Sequence, residues 1–414
     1  MANMPRTPEG AGEFNDDVLA PWRQQLILTA RGSPRPLLAN AITALRAAPA
    51  WANILWFDKL RQQTVLRGQA PWMTAAADEE WTGAHDVLAA NWLQHEGICV
   101  SPDIVGQAVE AVGRARPFHP VLDYLTGCIW DGNPRLDLWA VQYLGAEDTP
   151  YVRAVSSRWM IAAVARVAAP GCKADCALIL EGRQGLLKST ALKTLARPWF
   201  TDEIADIGTK DAALQVAGVW VIELPELDSI SRSDVSRIKA FMSRTNDRFR
   251  PPYGRRPVDQ PRQCVFAGTV NDNEYLRDAT GGRRWWPVAC SEIDIAGLAD
   301  FRDQLWAEAY HRYLAGEPWW LDTDELVASA AVQQDARYLA DPWRERIDRS
   351  ISVKSSVSVG EVLSELGIPE KDQTQVHANR VAACLKALGW NRKQMRFGGK
   401  QHWRYVTSVT SLQD

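Results

Sequence analysis

Hydrophobic positions recur along this chain with two different periods, and the changes of period mark out its elements. Leu37 to Leu45 repeats at helical spacing, Asn53 to Phe57 and Gln63 to Leu66 read as strands, and His85 to His95 and Pro102 to Val112 read as amphipathic helices. Trp130-Asp131-Gly132-Asn133-Pro134 is a turn by composition. Arg153 to Ala169 is a strongly apolar helix that runs into Pro170-Gly171. From about 172 to 292 apolar strands alternate with helical patterns, which predicts an α/β fold with a mainly parallel sheet. Helices are expected at Leu298 to Leu314 and over 322–340. Beyond Val357 the order becomes helix (Val359–Leu366), helix (Gln373–Leu388) and a hairpin from Trp390 to Tyr405 centred on Gly398-Gly399, the outline of a winged-helix module. The expected organisation is a flexible leader at 1–35, a mixed, mainly helical N-terminal domain at 36–150, a core at 151–320, a helical connector at 321–356 and the winged-helix-like module at 357–414.

A length of 414 residues fits two or three cores, and 46% apolar with 23% charged residues describes a soluble globular protein. No apolar run approaches the roughly 20 residues of a membrane span, and no secretory signal is visible at the N-terminus. Seven scattered cysteines, an odd number without regular spacing, suit a reducing cytoplasm. The net charge of −3 hides two basic segments. Ser236 to Arg262 holds eight Lys/Arg against two Asp/Glu, and Arg344 to Val406 holds twelve against six. Localised phosphate contacts follow from such segments better than general nucleic-acid affinity does.

The most informative stretch runs from Leu178 to Thr190. A buried strand, Leu178-Ile179-Leu180, passes through a loop bearing Gly182, Gln184 and Gly185 into a helix opened by Lys188-Ser189-Thr190. Strand, glycine-bearing loop and helix in that order are what a phosphate-binding loop requires, because its N–H groups and the helix N-terminus both attract anions. Lys188 would reach the terminal phosphates of ATP, and Ser189 would hold Mg²⁺. The usual pattern has glycine just before the lysine, whereas Leu187 stands there. A second apolar strand, in the element Gly218 to Glu226, ends in carboxylates, Glu223 and Glu226. Glu223 suits the Mg²⁺ side of a phosphoryl-transfer site and Glu226 a water-orienting base. A third strand, Gln263 to Val270, ends at Asn271, which either senses a terminal phosphate or simply opens a turn. Gly281-Gly282-Arg283-Arg284 offers an arginine finger, with either arginine as the candidate. Lys239, Arg250, Tyr253, Arg255 and Arg256 combine cations with a ring at a loop tip, a pattern suited to single-stranded DNA. Arg392, Lys393 and Arg396 could position a duplex, while Trp390 and Trp403 read as core, and His119 reads as a packing residue.

Taken together these elements resemble the virulence-associated protein E family, phage- and island-encoded ATPases related to superfamily 3 helicases. The resemblance covers about 36–320 and rests on Trp130 to Asp137, Leu180 to Gly185 with Lys188-Ser189-Thr190, Glu223 to Asp228, Phe249 to Arg255, Phe266 to Asn271 and Gly281 to Arg284. It implies an AAA+-like P-loop ATPase core assembled as a ring, commonly a hexamer. It also implies ATP in the cleft between subunits and single-stranded DNA in a central channel. The implied activity is an ATP-dependent DNA helicase or translocase serving replication of a phage or mobile element. The rival reading is a nucleotide-switched DNA-binding or interference protein without processive unwinding, for which Leu187 and the winged-helix-like tail are the motives. RNA in place of DNA stays open, and a primase module is not expected.

Overall fold

The structure is a computed structural model, and it describes residues 20–203, 212, 215–227, 232–249, 257–271, 275–276, 282–337, 341–397 and 400–407. The first nineteen residues of the expected leader and the expected hairpin centre Gly398-Gly399 lie outside the described residues. The N-terminal unit runs α1 (Leu38–Ala47), β1 (Leu55–Asp58), β2 (Gln63–Gly68), β3 (Ala77–Glu80), α2 (Gly83–His95), α3 (Pro102–Arg114) and β4 (Pro117–Phe118). Its sheet has the order β3-β2-β1-β4, antiparallel except for β4 beside β1. The two expected strands appear as β1 and β2, while β3 and β4 were not anticipated. The edge strand β3 reads Ala-Asp-Glu-Glu, with no apolar alternation to announce it, and charge of this kind protects a sheet edge from pairing.

Residues 20–35 also depart from the expected flexible leader. Trp22 and Leu26 are buried in the N-terminal core with Trp51, Leu55 and Val109. The buried side chain of Asn40 holds the segment in place. Its Oδ1 accepts from Ile27 N at 2.8 Å, and its Nδ2 donates to Ile27 O and Arg35 O at 2.9 Å each. A buried amide with all these partners fixes a backbone that has little secondary structure of its own.

The second unit contains α4 (Pro120–Gly127), α5 (Trp139–Leu144), α6 (Pro150–Ala168), β5 (Ala177–Glu181), α7 (Lys188–Ala196), β6 (Phe200–Thr201) and β7 (Val221–Leu224). It continues through α8 (Arg232–Met242), the hairpin β8 (Asn246–Phe249) and β9 (Val258–Pro261), β10 (Val265–Val270), β11 (Trp285–Ala289), α9 (Ile295–Leu314) and α10 (Asp324–Ala336). The central sheet has the order β11-β5-β10-β7-β6, with every pairing parallel. β5, β7 and β10 are buried at every position, as a parallel sheet covered on both faces demands. Three indoles tie the helices to this sheet and to each other. Trp159 Nε1 donates to Phe266 O, Trp220 Nε1 to Ala163 O and Trp306 Nε1 to Leu195 O, at 2.8 to 2.9 Å.

The stretch 321–356 is not a connector. α10 packs on α6 and β11, with Ala330 in the central core and Gln334 Nε2 donating to Trp285 O at 2.9 Å. By contrast α11 (Pro342–Ile351) sends Ile347 and Ile351 into the core of the C-terminal unit. That unit adds β12 (Ser356–Val357), α12 (Val359–Glu365), α13 (Gln375–Ala387), β13 (Trp390–Phe397) and β14 (Lys400–Thr407), with an antiparallel sheet β12-β14-β13. Trp390 is buried as expected, but Trp403 is 53% exposed. By period and register Trp403 shares a face with the buried Trp390 and Tyr405, but it lies two residues nearer the far end of the hairpin than Tyr405, past the last buried residue of that face. Among the described residues no helix is long and apolar enough to cross a membrane.

The first two units meet at His119. Its Nδ1 accepts from Leu122 N at 3.2 Å, capping α4, and its Nε2 donates to Gln263 Oε1 at 2.5 Å. Gln263 in turn donates to Lys59 O at 3.0 Å. This network fixes the neutral tautomer, since a proton on Nδ1 would break the cap. Burial, outweighing the bond to Gln263, holds His119 below its ordinary value of 6.5. The unfolded chain therefore takes up a proton that the folded chain refuses, and stability falls as pH drops below about 6.5. In urea unfolding, His119→Gln is expected to be less stable than wild type by about 1–2 kcal/mol at pH 8. The gap should narrow toward pH 5; a gap independent of pH would contradict the buried neutral imidazole.

Candidate nucleotide-binding site

The site forms where β5 ends. After Glu181 the chain must reverse within six residues to start α7 at Lys188, and three of the residues between take positive φ: Gly182 at 144°, Gly185 at 82° and Leu187 at 66°. A Cβ at Gly182 would lie 2.9 Å from Cys290 O and 2.8 Å from Leu186 Cδ2, so no side chain fits there. Leu187 adopts the left-handed conformation that glycine usually supplies, with its side chain half exposed. α7 has no acidic residue in its first turn, which leaves its N-terminus positive in potential.

Lys188 is buried, and its ammonium donates to Gly182 O at 2.5 Å, Arg183 O at 3.0 Å and Asn271 Oδ1 at 3.2 Å. It folds back over the loop and ties it to the end of β10. On the neighbouring side, Ser189 Oγ and Thr269 Oγ1 both donate to Glu223 Oε1 at 2.6 Å. Glu223 is fully buried, and its other oxygen, Oε2, has no hydrogen-bond partner among the described residues. A buried carboxylate oxygen without a partner beside a serine hydroxyl fits a hard cation that takes oxygen ligands. Among the described residues no cluster of three His, Cys, Asp or Glu forms a complete protein cage.

Gln184, Gly185, Ser189 and Thr190 line the exposed side of the loop and the first turn of α7. Glu226 lies two residues past β7, exposed and with a positive φ of 48°. The structure thus brings together Lys188, Ser189, Glu223 and Asn271. It does not bring the arginine pair to them. Trp285, next to Arg284, pairs with Ala177 at the start of β5, while the loop leaves from Glu181 at its end. Four strand residues separate the two ends by about 13 Å. Arg284 is partnered within its own chain, its Nε donating to Ser243 Oγ at 3.0 Å and lying 3.4 Å from Asp175 Oδ2. Arg283 is exposed and forms no ion pair among the described residues.

Of the expected DNA contacts, Arg250, Tyr253, Arg255 and Arg256 lie outside the described residues. Lys239 is a correction. It is only 7% exposed, because it shares the helical face of Val235, Ile238 and Met242 that packs on the sheet. Arg392, Lys393 and Arg396 are all exposed on β13. The strand period places Arg392 and Arg396 on one face with Trp403, over whose ring Arg392 sits at 4.4 Å, and Lys393 on the other.

Sequence reasoning missed three groups. Glu181, buried at the end of β5, receives both arms of Arg337 at 2.7 and 2.8 Å and the hydroxyl of Tyr275 at 2.9 Å. Burial, then the adjacent Glu181, hold the Tyr275 hydroxyl well above its ordinary value, so it stays a donor. Thr269 shares Glu223 with Ser189. Arg262 and Asp247, counted only among the charges of the basic segment Ser236 to Arg262, form a buried bidentate pair at 2.7 and 2.8 Å beside β8 and β9. A single acid ending an apolar run was the one signal for Glu181; nothing local marked Arg337, 156 residues away.

The left-handed Leu187 gives a direct test. Leu187→Gly removes strain of about 1–3 kcal/mol but restores unfolded-chain freedom, so a net gain of up to about 1 kcal/mol is expected. Leu187→Val, β-branched, should lose about 1 kcal/mol. Urea unfolding of the three proteins reads the order, and a valine variant as stable as the glycine variant would reject the assigned backbone.

No curated protein matches the chain. Solved structures similar to it include an apo structure of the C-terminal region of NrS-1, with 10% identity, a TM-score of 0.47, and coverage of 85% of this chain and 95% of that one. An A-form apo structure of the same region has 11% identity and a TM-score of 0.43, covering 85% of this chain and 96% of that one. Both likenesses are distant. The virulence-associated protein E-like domain matches residues 125–338, from α4 through the arginine that clamps Glu181. That is just over half of the 414 residues, and the chain belongs to the virulence-associated protein E-like family.

Proposed function

We propose that this protein is an ATP-dependent DNA helicase or translocase of superfamily 3 type, built on an AAA+-like P-loop core and acting in replication of a phage or mobile element. One observation carries the reading: Lys188, Ser189, Glu223 and Asn271 converge at the carboxyl ends of three adjacent parallel strands, around a glycine-bearing loop. Ligands of open α/β sheets bind at that edge. The loop at 182–190 would cradle the phosphates, with Lys188 exchanging loop carbonyls for phosphate oxygens. Ser189 and Glu223 would hold Mg²⁺, which when bound neutralises charge on the β- and γ-phosphates. Glu226 is assigned to orienting the attacking water and Asn271 to sensing the terminal phosphate.

The arginine pair lies at the wrong edge of the sheet to serve its own loop, which supports a finger delivered by a neighbouring subunit in a ring, taken as a hexamer. Arg283 is the better finger, since Arg284 is held by Asp175 and Ser243. The segment 250–256, which joins β8 to β9 and lies in sequence between the partners of the buried Arg262–Asp247 pair, would meet single-stranded DNA. The C-terminal unit is proposed as a winged helix that meets duplex DNA through Arg392, Arg396 and Trp403. Leu187 favours a second reading, in which a strained loop binds nucleotide to switch assembly with little turnover. Strand separation coupled to turnover would reject that second reading.

The expected result is ATP hydrolysis stimulated by single-stranded DNA and reduced at least about a hundredfold in Lys188→Ala and in Arg283→Ala. Mixing those two variants should recover activity, because some interfaces then pair an intact loop with an intact arginine. A fully active Lys188→Ala protein would sink the assignment, and mixing without recovery would remove the finger from the neighbour.

A further inference from the structure

At the amino end of the central sheet, away from the nucleotide loop, a cavity of about 620 Å³ opens between α6, β11 and α10. It shares no residue with the loop site. Its walls are aromatic and small: the indoles of Trp159, Trp286, Trp319 and Trp320, with Ala330 and Ala331 of α10 between them. Its charged groups are Lys173, Arg283, Arg284 and Asp175. Three cations thus face one carboxylate, and that carboxylate is already paired with Arg284. Cys176, whose thiol burial pushes up to about 12, adds no charge.

Volume, lining and charge each narrow the occupant. Cavities of roughly 300–1,000 Å³ hold single small ligands. Indole walls favour a flat ring system stacked or met edge-on. Arg283, which forms no ion pair among the described residues, favours an oxyanion, which its planar fork can hold with two hydrogen bonds. A cation would be repelled, and a wholly apolar ligand would leave the charge unanswered. We propose that this cavity binds a small amphipathic anion, a flat aromatic body seated among the indoles with one carboxylate, sulfonate or phosphate on Arg283. Under the function proposed above, and resting on it, such a ligand withholds Arg283 from the neighbouring subunit and slows turnover.

The test uses the full chain and 8-anilinonaphthalene-1-sulfonate, followed by its fluorescence in the absence of nucleotide. Saturable binding of about one molecule per chain is expected, weakened about tenfold by Arg283→Ala. Ala331→Trp, at an exposed helix position, fills the cavity and should remove it. If that variant fails to fold by circular dichroism, Val327→Trp on the same helix takes its place. The uncharged N-phenyl-1-naphthylamine should bind about tenfold more weakly than the sulfonate, and Lys188→Ala should bind the sulfonate like wild type. Affinity unchanged by both Arg283→Ala and the filled cavity, or equal for the two dyes, overturns the proposal. Nucleotide-driven assembly that expels the dye and is blocked by Ala331→Trp would give the cavity to a second copy of the chain, and also overturns it. Because binding is read without ATP, a failure of ATP hydrolysis leaves this outcome distinct.

Discussion

The candidate site depends on one constraint of the parallel sheet: every strand must end at the same edge. β5, β7 and β10 are apolar and buried along their whole length, so their polar residues can stand only at or near the ends. Parallel pairing then gathers those ends. Glu223 in β7 sits opposite Ala267 of β10, two residues before Thr269, and Asn271 follows the end of the same strand. Residues separated by nearly fifty positions in sequence meet on one carboxylate because sheet order puts their strands side by side. The loop after β5 completes the group, since Lys188 crosses to Asn271 from the neighbouring strand.

Two buried carboxylates at this edge are handled in opposite ways. An unpaired buried charge costs several kcal/mol, so each must find compensation or a purpose. Glu181 is fully engaged by Arg337 and Tyr275, and both of its oxygens are used. Its role is to brace the point from which the loop departs. Glu223 is engaged at one oxygen only, by two hydroxyls, and its other oxygen is left without a partner among the described residues. Removing the second oxygen from water with nothing to bind is unfavourable for folding alone, and a cation with bound phosphate is the compensation that its neighbours suit. The same edge therefore holds one acid with both oxygens bonded and one with an oxygen left open among the described residues.

Much of this was legible in sequence because it is local. The apolar runs gave β5, β7 and β10, and the glycines with Lys188-Ser189 gave the loop. The elements missed were those whose signal is not local. β3 is a charged edge, Trp22 and Leu26 join a core whose other members begin about fifteen residues later, and α10 and α11, both within the stretch expected as a connector, pack on different units. Lys239 was misread because a basic residue in a basic segment looks exposed until its helical face is known. Arg337 braces Glu181 through the fold alone, and no motif spacing could have announced it.

The arginine pair shows the same limit from the other side. Sequence placed Arg283 and Arg284 after the third apolar strand and assigned them to the phosphate chemistry by type. The sheet places them at the amino edge, where Trp285 pairs with the first residue of β5. A guanidinium reaches about 7 Å from its backbone at most, while the two edges are about 13 Å apart, so neither arginine can touch the loop of its own chain. Either the pair has no part in phosphate chemistry, or a second subunit supplies the missing contact. The two arginines themselves differ in a way that bears on this choice. Arg284 is fixed by Asp175 and Ser243, while Arg283, adjacent to it, points its charge at solvent and at an aromatic cavity. Fixing one of two neighbouring cations orients the turn that carries both, and leaves the other exposed and without an ion pair among the described residues.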